Sequence, residues 1–257
     1  FTRDLHRCAP KGDTALTVRA HALAGGHSGE VINEGRGNAI KAVADILYRL
    51  SEGGVKYALA DYKGGVAANA IPSDALAVIV VAAKDVDRVK ATVAAAEKDF
   101  HLVYGETDPN AVFEVTPADL PKSVLSAEDT TSIVDVINLL HCGVFAMDRR
   151  LPRLPALSAS LGTIETREDV LAFQYFPRSS SDARLQALVS VMPIMAKSTG
   201  TKVHIEKPFP AWTESKNSKL QALMADAYKE VMGKEPRMEA MHGGLETGFL
   251  YAMNPDL

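Results

Sequence analysis

The sequence predicts an α+β fold, in which a mostly antiparallel sheet carries helices on one face. Several short segments alternate polar and apolar residues, as half-exposed strands do. Longer segments repeat apolar residues at every third or fourth position, as amphipathic helices do. The order strand, helix, strand, strand, helix occurs twice along the 257 residues. This order, without any residue-level similarity, predicts a sheet built from two similar βαββαβ-like halves.

The first half covers about residues 13–105. Glycines and prolines separate its elements, because these residues favour turns and helix ends. Asp85 is a suitable cap for the second helix. In order, we predict a strand over 14–24, a helix over 40–50 that ends at Gly53-Gly54, a strand over 57–62, an extended segment over 66–71, a strand over 76–82 and a helix over 86–100.

The second half covers about residues 128–207, after a proline-containing connector over 100–127 that we predict to be irregular. Its predicted elements are a helix over 132–140, a strand over 156–164, a strand over 170–176, a helix over 182–197 that Pro193 interrupts, and a strand over 202–206. Prolines at 208 and 210 then mark a break. Beyond them an amphipathic helix over 220–232 ends at Gly233, so 208–257 is predicted to be a different body.

Composition excludes several classes of function. The chain has 28 Lys+Arg against 32 Asp+Glu and no basic stripe, which argues against nucleic acid as a partner. Cys8 and Cys142 lie far apart without metal-ligand spacing, which argues against a disulfide framework and favours the cytoplasm. No apolar run approaches the roughly 18 residues that span a bilayer, so we expect a soluble protein without membrane contact.

His27 lies in the loop Gly25-Gly26-His27-Ser28-Gly29. Glycines let the backbone turn sharply and approach a ligand closely, so the imidazole would be presented to a ligand. The alternative is a turn histidine that caps the following helix. Neither reading is excluded by the loop alone.

Two further side chains lie where a strand ends. Asn69 precedes Ala-Ile-Pro72, and its amide could orient a substrate amide or carboxylate. Arg178 follows an apolar strand, and its guanidinium is suited to holding a carboxylate with two parallel hydrogen bonds. The alternative for Arg178 is a surface ion pair with Asp182.

His242 begins the segment His242-Gly243-Gly244-Leu245-Glu246. Backbone N–H groups and one imidazole could face the same space there. One His and one Glu are too few ligands for zinc, so we predict no metal site in this chain. The sequence also lacks a Gly-x-Ser-x-Gly elbow and a basic setting for either cysteine, so nothing supports a nucleophilic mechanism.

Taken in order, five motifs resemble those of the aminoacyl-histidine (Xaa-His) dipeptidases, which belong to the superfamily of di-zinc aminoacylases, carboxypeptidases and dipeptidases. The resemblance runs over essentially the whole chain. The motifs are Gly25-Gly26-His27-Ser28-Gly29, Gly37-Asn38-Ala39, Asn69-Ala70-Ile71-Pro72, Phe176-Pro177-Arg178 and His242-Gly243-Gly244-Leu245-Glu246.

The resemblance implies a split catalytic domain with an inserted lid. Residues 1–12 would end an N-terminal catalytic segment, 13–207 would form the lid, and 208–257 would belong to a C-terminal catalytic segment. It also implies two zinc ions that activate a water for attack on the peptide carbonyl of Xaa-His dipeptides such as carnosine. The zinc ligands of such enzymes lie in motifs that this sequence lacks, so we expect an excised piece that is inactive alone.

Roles can be transferred to matching positions only. His27 resembles the lid histidine that stabilises the oxyanion. Asn69 and Arg178 resemble residues that hold the substrate backbone and its C-terminal carboxylate, with further contacts from His242, Gly243 and Gly244. Because the lid has two halves in one chain, we expect His27 and Arg178 to act in cis, although the family also admits homodimers.

Two alternatives stay open. The chain could be an oligomerisation or ligand-binding module without chemistry, or part of another enzyme of the superfamily, such as an acylamino-acid deacylase. In the dipeptidase reading, its small-molecule partner is a dipeptide.

Overall fold

The computed structural model describes residues 1–209, 218–244 and 247–254. Two short 3-10 helices lie at Ile32–Glu34 and Ala83–Asp85. The strands are β1 (Thr2–Asp4), β2 (Arg7–Cys8), β3 (Thr14–His21), β4 (Gly26–His27), β5 (Tyr57–Gly64), β6 (Ala70–Ile71), β7 (Ala75–Val81), β8 (Val112–Ala118), β9 (Val124–Leu125), β10 (Gly143–Met147), β11 (Pro155–Thr166) and β12 (Val170–Ser179). The α-helices are α1 (Ala39–Glu52), α2 (Val86–Tyr104), α3 (Ala127–Leu139), α4 (Asp182–Val189), α5 (Met192–Ser198), α6 (Lys219–Met232) and α7 (Thr247–Met253).

One large sheet organises the fold, with strand order β1-β12-β11-β5-β7-β3-β8 and β10 added beside β11. Its strands pair antiparallel throughout. Two small ribbons, β2-β9 and β4-β6, accompany it. The predicted α+β class with a mostly antiparallel sheet is confirmed.

The sheet consists of two units with the same topology. The first unit runs β3-α1-β5-β7-α2-β8 and has spatial order β8-β3-β7-β5, which is the split βαβ, or ferredoxin-like, arrangement. The second unit takes β1 as its first strand, continues through α3, β11, β12 and α4–α5, and closes with a bridge from Lys202 to Thr2. The first unit is thus inserted into the second.

This topology corrects the boundaries expected from the sequence. Residues 1–12 were assigned to a catalytic segment, yet Thr2, Arg3 and Asp4 pair with Ala172, Leu171 and Val170 of β12. The half expected over 128–207 is therefore incomplete without β1. Local periodicity could not show this, because the pairing joins residues about 170 positions apart.

The main hydrophobic core of the described residues lies between the sheet and its helices, and a second, small cluster contains Ala15, Ala60, Val80 and Val124. In β3, Leu16, Val18 and Ala20 point into the main core, as the period-two alternation requires. In α1, the buried stripe includes Ile46 and Leu47, both fully buried. The amphipathic patterns therefore determine which face of each element is covered.

The two units are joined edge to edge. Gly64 and Lys63 of β5 pair with Ile164 and Glu165 of β11. Beside this seam, Lys41 Nζ of α1 donates to the carbonyl oxygen of Ile137 at 2.7 Å and also to that of Asn138. A lysine there satisfies carbonyl groups that the C-terminal turn of α3 leaves unpaired.

Several local predictions were wrong. The connector over 100–127 contains β8, which lies at the edge of the sheet, where Pro117 is tolerated because one strand side needs no donor. The strand expected over 202–206 is reduced to the single bridge at Lys202. Asp85 does not cap α2 with its side chain and pairs with Arg88 instead. The sequence analysis also missed β10.

The second unit is held together by a buried carboxylate at the start of α3. Asp129 is fully buried and accepts hydrogen bonds from Arg3 Nε at 2.7 Å, from the His6 backbone N–H at 2.7 Å and from Ser126 Oγ at 2.8 Å. Burial by itself would raise the pKa of Asp129, but these donors outweigh it and the pKa lies below its ordinary value. The carboxylate therefore ties β1 to α3.

Replacing Asp129 with Asn is expected to lower the free energy of unfolding by about 3–5 kcal/mol, because Arg3 is left buried without its charged partner. The native pKa lies below the unfolded one, so this contribution is present above about pH 4 and is lost as the pH falls through the native pKa. Urea titrations between pH 3 and pH 7 measure both effects.

The neighbouring Glu128→Gln is the matched control for Asp129→Asn. Glu128 also bonds Arg3, at 3.0 Å, but its side chain is 86% exposed, so we expect a cost below about 1 kcal/mol. Equal costs for the two variants would contradict the assignment.

Candidate active site

The segment 24–37, named here the His27 loop, leaves β3 and returns to α1. Gly25 and Gly26 have φ angles of 59° and 122°, which L-residues rarely adopt. This conformation allows β4 to pair with β6, in the register Gly26 with Ile71 and His27 with Ala70. The two glycines of the motif thus determine where His27 is held.

His27 is held in the turn without a hydrogen-bond partner for its Nδ1 atom, which is buried. The nearest carboxylate oxygen, on Glu30, lies 3.9 Å away, beyond hydrogen-bonding distance. The side chain as a whole is 35% exposed. Helix α1 is capped by Asn38, whose side chain accepts from the Lys41 N–H, so the interpretation of His27 as a helix cap is wrong.

Arg178, near the end of β12, faces the His27 loop. Its Nε atom donates to Ser28 Oγ at 3.2 Å, and its guanidinium lies 4.6 Å from the centre of the Phe176 ring. Burial lowers its pKa. Within the described residues it forms no ion pair, so the alternative of a pair with Asp182 is not observed. The Nη side of a half-buried cation is therefore available to an anion.

His242 reaches the same place from the C-terminal part of the chain. It is 7% exposed, and its Nε2 atom is hydrogen-bonded to Ser158 Oγ at 2.7 Å. Burial, followed by the charge of Arg178, lowers its pKa to about 4. At neutral pH the imidazole is uncharged, so it can lie beside the Arg178 guanidinium without adding a second positive charge.

Gly29 marks the point where the side chains of His27 and Arg178 meet the backbone of His242. A Cβ atom at this position would lie 2.6 Å from the His242 carbonyl oxygen, 3.0 Å from His27 Cε1 and 3.3 Å from Arg178 Cζ. These contacts leave no room for a side chain. The glycine therefore permits residues from both units and from the C-terminal segment to converge.

Asn69 supports the His27 loop through its backbone. Its carbonyl oxygen accepts from the Ser28 N–H at 2.8 Å, while its side chain is exposed. The segment before it packs on Gly162 of β11, where a Cβ atom would collide with the carbonyl groups of Ala67 and Ala68. The structure therefore places Asn69 beside the loop, and the role of its amide in binding substrate stays a prediction.

The glycines after His242 have other neighbours. The atom nearest to a Cβ at Gly243 is Met241 Cε, at 3.4 Å, and the atoms nearest to one at Gly244 belong to Phe209. Glu246, the last residue of the motif, lies outside the described residues. The structure thus brings His27, Arg178 and His242 together, and the contacts expected from Gly243 and Gly244 stay a prediction.

Neither cysteine is placed to act as a nucleophile. Both are free thiols, and burial raises the pKa of Cys142 to about 11. The nearby Lys41 opposes this shift but does not outweigh burial. The Cys142 thiol therefore stays protonated at neutral pH.

The part of the chain that the structure describes contains no group of three or more His, Cys, Asp or Glu side chains that could hold a metal ion. The His27 cluster consists of two imidazoles, a guanidinium and hydroxyl groups, which is a poor donor set for zinc because a guanidinium repels a cation. These residues do not fit a resident metal. Nor is any described helix long and apolar enough to cross a membrane.

The sequence analysis missed two residues that shape the cluster. Ser28 is 2% exposed and binds Arg178, while Ser158 is 1% exposed and binds His242. Ser158 is also the cross-strand partner of Arg178. The sequence signal that could have revealed Ser158 is a pair of serines, at 158 and 160, in the apolar first part of β11. Buried hydroxyl groups need hydrogen-bond partners, so such serines point to a nearby polar group.

The chain is similar to two known dipeptidases over nearly its whole length. No known protein-family profile matches the chain. The chain is 27% identical over 260 residues to the cytosol non-specific dipeptidase of Escherichia coli (strain K12). The aligned region covers all of this chain and 53% of that protein. Its structure resembles the aminoacylhistidine dipeptidase of Vibrio alginolyticus with a TM-score of 0.89 and 24% identity, over 99% of this chain and 52% of that one.

Two conclusions follow from these comparisons. The resemblance to this group of dipeptidases, which the five motifs indicated, is confirmed, and so is the fold. The chain spans about half the length of the relatives that it matches.

Proposed function

We propose that this chain supplies the lid and a C-terminal segment of the catalytic domain of a metallo-dipeptidase that hydrolyses Xaa-His dipeptides such as carnosine. The observation that carries the proposal is the meeting of His27, Arg178 and His242 around Gly29. Two groups face one space: an imidazole whose Nδ1 atom has no hydrogen-bond partner and a guanidinium without an ion pair among the described residues. This arrangement suits a small substrate with a polar carbonyl and a free carboxylate. The similarity to two dipeptidases supports this reading.

Arg178 is proposed to bind the C-terminal carboxylate of the dipeptide. Ser28 occupies its Nε atom, which leaves the two Nη groups for a bidentate contact. Because the guanidinium has no carboxylate partner among the described residues, the substrate does not displace an internal ion pair. His242, uncharged at neutral pH, can contribute a hydrogen bond next to it.

His27 is proposed to stabilise the oxyanion that forms when water attacks the peptide carbonyl. Its loop is fixed by backbone pairing with β6, so the imidazole is oriented before the substrate arrives. A donor preorganised in this way contributes roughly 2.7–4 kcal/mol to the stabilisation of the transition state.

Zinc enters the proposal through the resemblance alone. When bound, two zinc ions would supply an activated water, and their ligands would lie outside the described residues. In this architecture 208–257 belongs to the catalytic domain. The exposed apolar residues Leu220, Leu223 and Val231 on α6 support that assignment, because a catalytic half would cover them.

The remaining parts of the proposal concern setting and partners. A cytoplasmic location is supported by the cytosolic relative from Escherichia coli. The only small-molecule partner proposed is the dipeptide. A homodimer is compatible with the fold. Because His27, Arg178 and His242 lie together within one chain, we propose that these three residues act in cis.

The test uses the complete two-domain protein that the proposal implies, with this chain alone beside it. Carnosine and Gly-Leu are assayed with and without added zinc, and an N-acetyl amino acid serves as the deacylase substrate. We expect zinc-dependent cleavage of the dipeptides by the complete protein only. Preference for the N-acetyl amino acid, or binding without hydrolysis, would contradict the proposal.

The cis arrangement has its own test. We expect a mixture of His27→Ala and Arg178→Ala proteins, co-refolded and purified through two different tags, to stay as inactive as either variant alone, because each site carries a defect. Recovery to about half of wild-type activity would mean that subunits share sites in trans, because each purified mixed dimer would then have one intact site and one site with both defects.

A further inference from the structure

We propose that Asp108 is a positioning residue that orients His27 by holding both ends of the loop that carries it. This inference rests on the proposed function of His27. Asp108 lies in the segment after α2, eighty-one positions from His27. Its carboxylate is 1% exposed.

The two oxygen atoms of Asp108 bind opposite ends of the His27 loop. Oδ1 accepts from the Ala24 N–H at 2.7 Å, where the loop begins, and Oδ2 accepts from the Gly37 N–H at 2.8 Å, where it ends. The hydroxyl of Thr107 also donates to Oδ2, at 3.0 Å. One rigid carboxylate thus fixes the separation of two backbone groups that are thirteen residues apart.

This carboxylate is unusual because it has no cationic partner among the described residues, whereas the buried Asp129 is paired with Arg3. A buried charge is costly unless hydrogen bonds compensate it, and here the compensating donors are the loop ends. If the loop opened, the buried charge would lose these donors. The hydrogen bonds that compensate for the burial of Asp108 therefore also stabilise the closed loop.

Hydrogen bonds within the loop connect its two ends, at Ala24 and Gly37, to the His27 backbone. Arg36 donates from Nη1 to the Gly25 carbonyl oxygen at 2.5 Å, and the Glu30 and Val31 N–H groups donate to the His27 carbonyl oxygen. The loop interior is thus held together by its own hydrogen bonds. A shift of either end displaces His27, which sits above Gly29 with little free space.

The first test is kinetic and uses Asp108→Asn in the complete protein. The amide keeps one acceptor but turns an N–H group toward a backbone donor, so one loop end is released. We expect kcat to fall by about 10- to 100-fold, as for a displacement of about 1 Å, while KM changes by less than about 3-fold. Asp129→Asn, also a buried carboxylate that binds a backbone N–H, is the matched control and should keep kcat within about 2-fold when folded.

A double-mutant cycle separates positioning from general damage. If Asp108 acts through His27, the double variant Asp108→Asn/His27→Ala has the same kcat as His27→Ala alone. Independent, multiplying losses would overturn the proposal. Should Asp108→Asn fail to fold, Thr107→Val, which removes one donor to Oδ2, is examined in the same cycle with an expected loss of about 2- to 5-fold.

A spectroscopic readout distinguishes failure of this inference from failure of the proposed function. In the 257-residue chain, Asp108→Asn should shift the amide signals of Ala24 and Gly37 and the Cε1–H signal of His27, whereas Asp129→Asn should leave them in place. An unchanged His27 signal would overturn the role of Asp108. Full activity of His27→Ala would instead refute the function of His27, and the spectra would still decide whether Asp108 positions it.

Discussion

Replacing His27 with Ala is expected to lower kcat of the proposed complete enzyme by about 100- to 1000-fold, with KM changed by less than about 3-fold. The reason is that the imidazole interacts with charge that develops only in the transition state. Steady-state kinetics on carnosine measure both parameters. His27→Gln, which keeps an N–H donor, should recover part of the loss.

His21→Ala is the matched control for His27→Ala. His21 also has a buried ring nitrogen without a hydrogen-bond partner, but it lies in β3, where Glu114 is 3.4 Å away. It is not among the residues nearest to Gly29, so its loss should change kcat by less than about 2-fold. Comparable losses in the two variants would show that the effect of His27→Ala is only structural.

Replacing Arg178 with Ala is expected to lower kcat/KM for dipeptides by about 100-fold, which corresponds to the roughly 3 kcal/mol that a hydrogen-bonded charge pair contributes. Arg178→Lys should recover only part of this loss, because an ammonium group cannot form the bidentate contact. The loss should appear largely in KM if the carboxylate is bound equally in the ground and transition states.

A dipeptide amide tests which part of the substrate Arg178 recognises. Wild-type protein should cleave the C-terminal amide about 100-fold less efficiently than the free acid, and Arg178→Ala should no longer distinguish the two. Arg167→Ala, an exposed arginine paired with Glu165 at the β11–β12 turn, should retain the discrimination. A variant at Arg178 that still prefers the acid would refute the assignment.

Sequence reasoning succeeded where the determining interactions are local. The alternation in β3 and the apolar stripe of α1 correctly predicted their buried faces, because strand and helix periods follow from backbone geometry. The loop around His27 was found for a similar reason, since two glycines with positive φ leave a visible pattern.

The rest depends on contacts that no local pattern records. Ser158 and His242 are 84 positions apart, and Arg178 and Ser28 are 150 apart. Asp108 lies in a proline-rich segment that lacks periodicity, and its carboxylate became informative only when both loop ends were seen beside it. Long-range pairing is a property of the fold as a whole, so periodicity within a window cannot reveal it.

The pairing of Thr2 with Lys202 has a consequence for how such a protein could arise. Residues facing each other across an antiparallel ladder have Cα atoms only about 5 Å apart, so the chain enters and leaves this body at almost the same point. A body with adjacent ends can be spliced into a surface turn of a host domain and leave the host's own chain path nearly unbroken. The same geometry would allow this body to be excised and grafted onto another host domain.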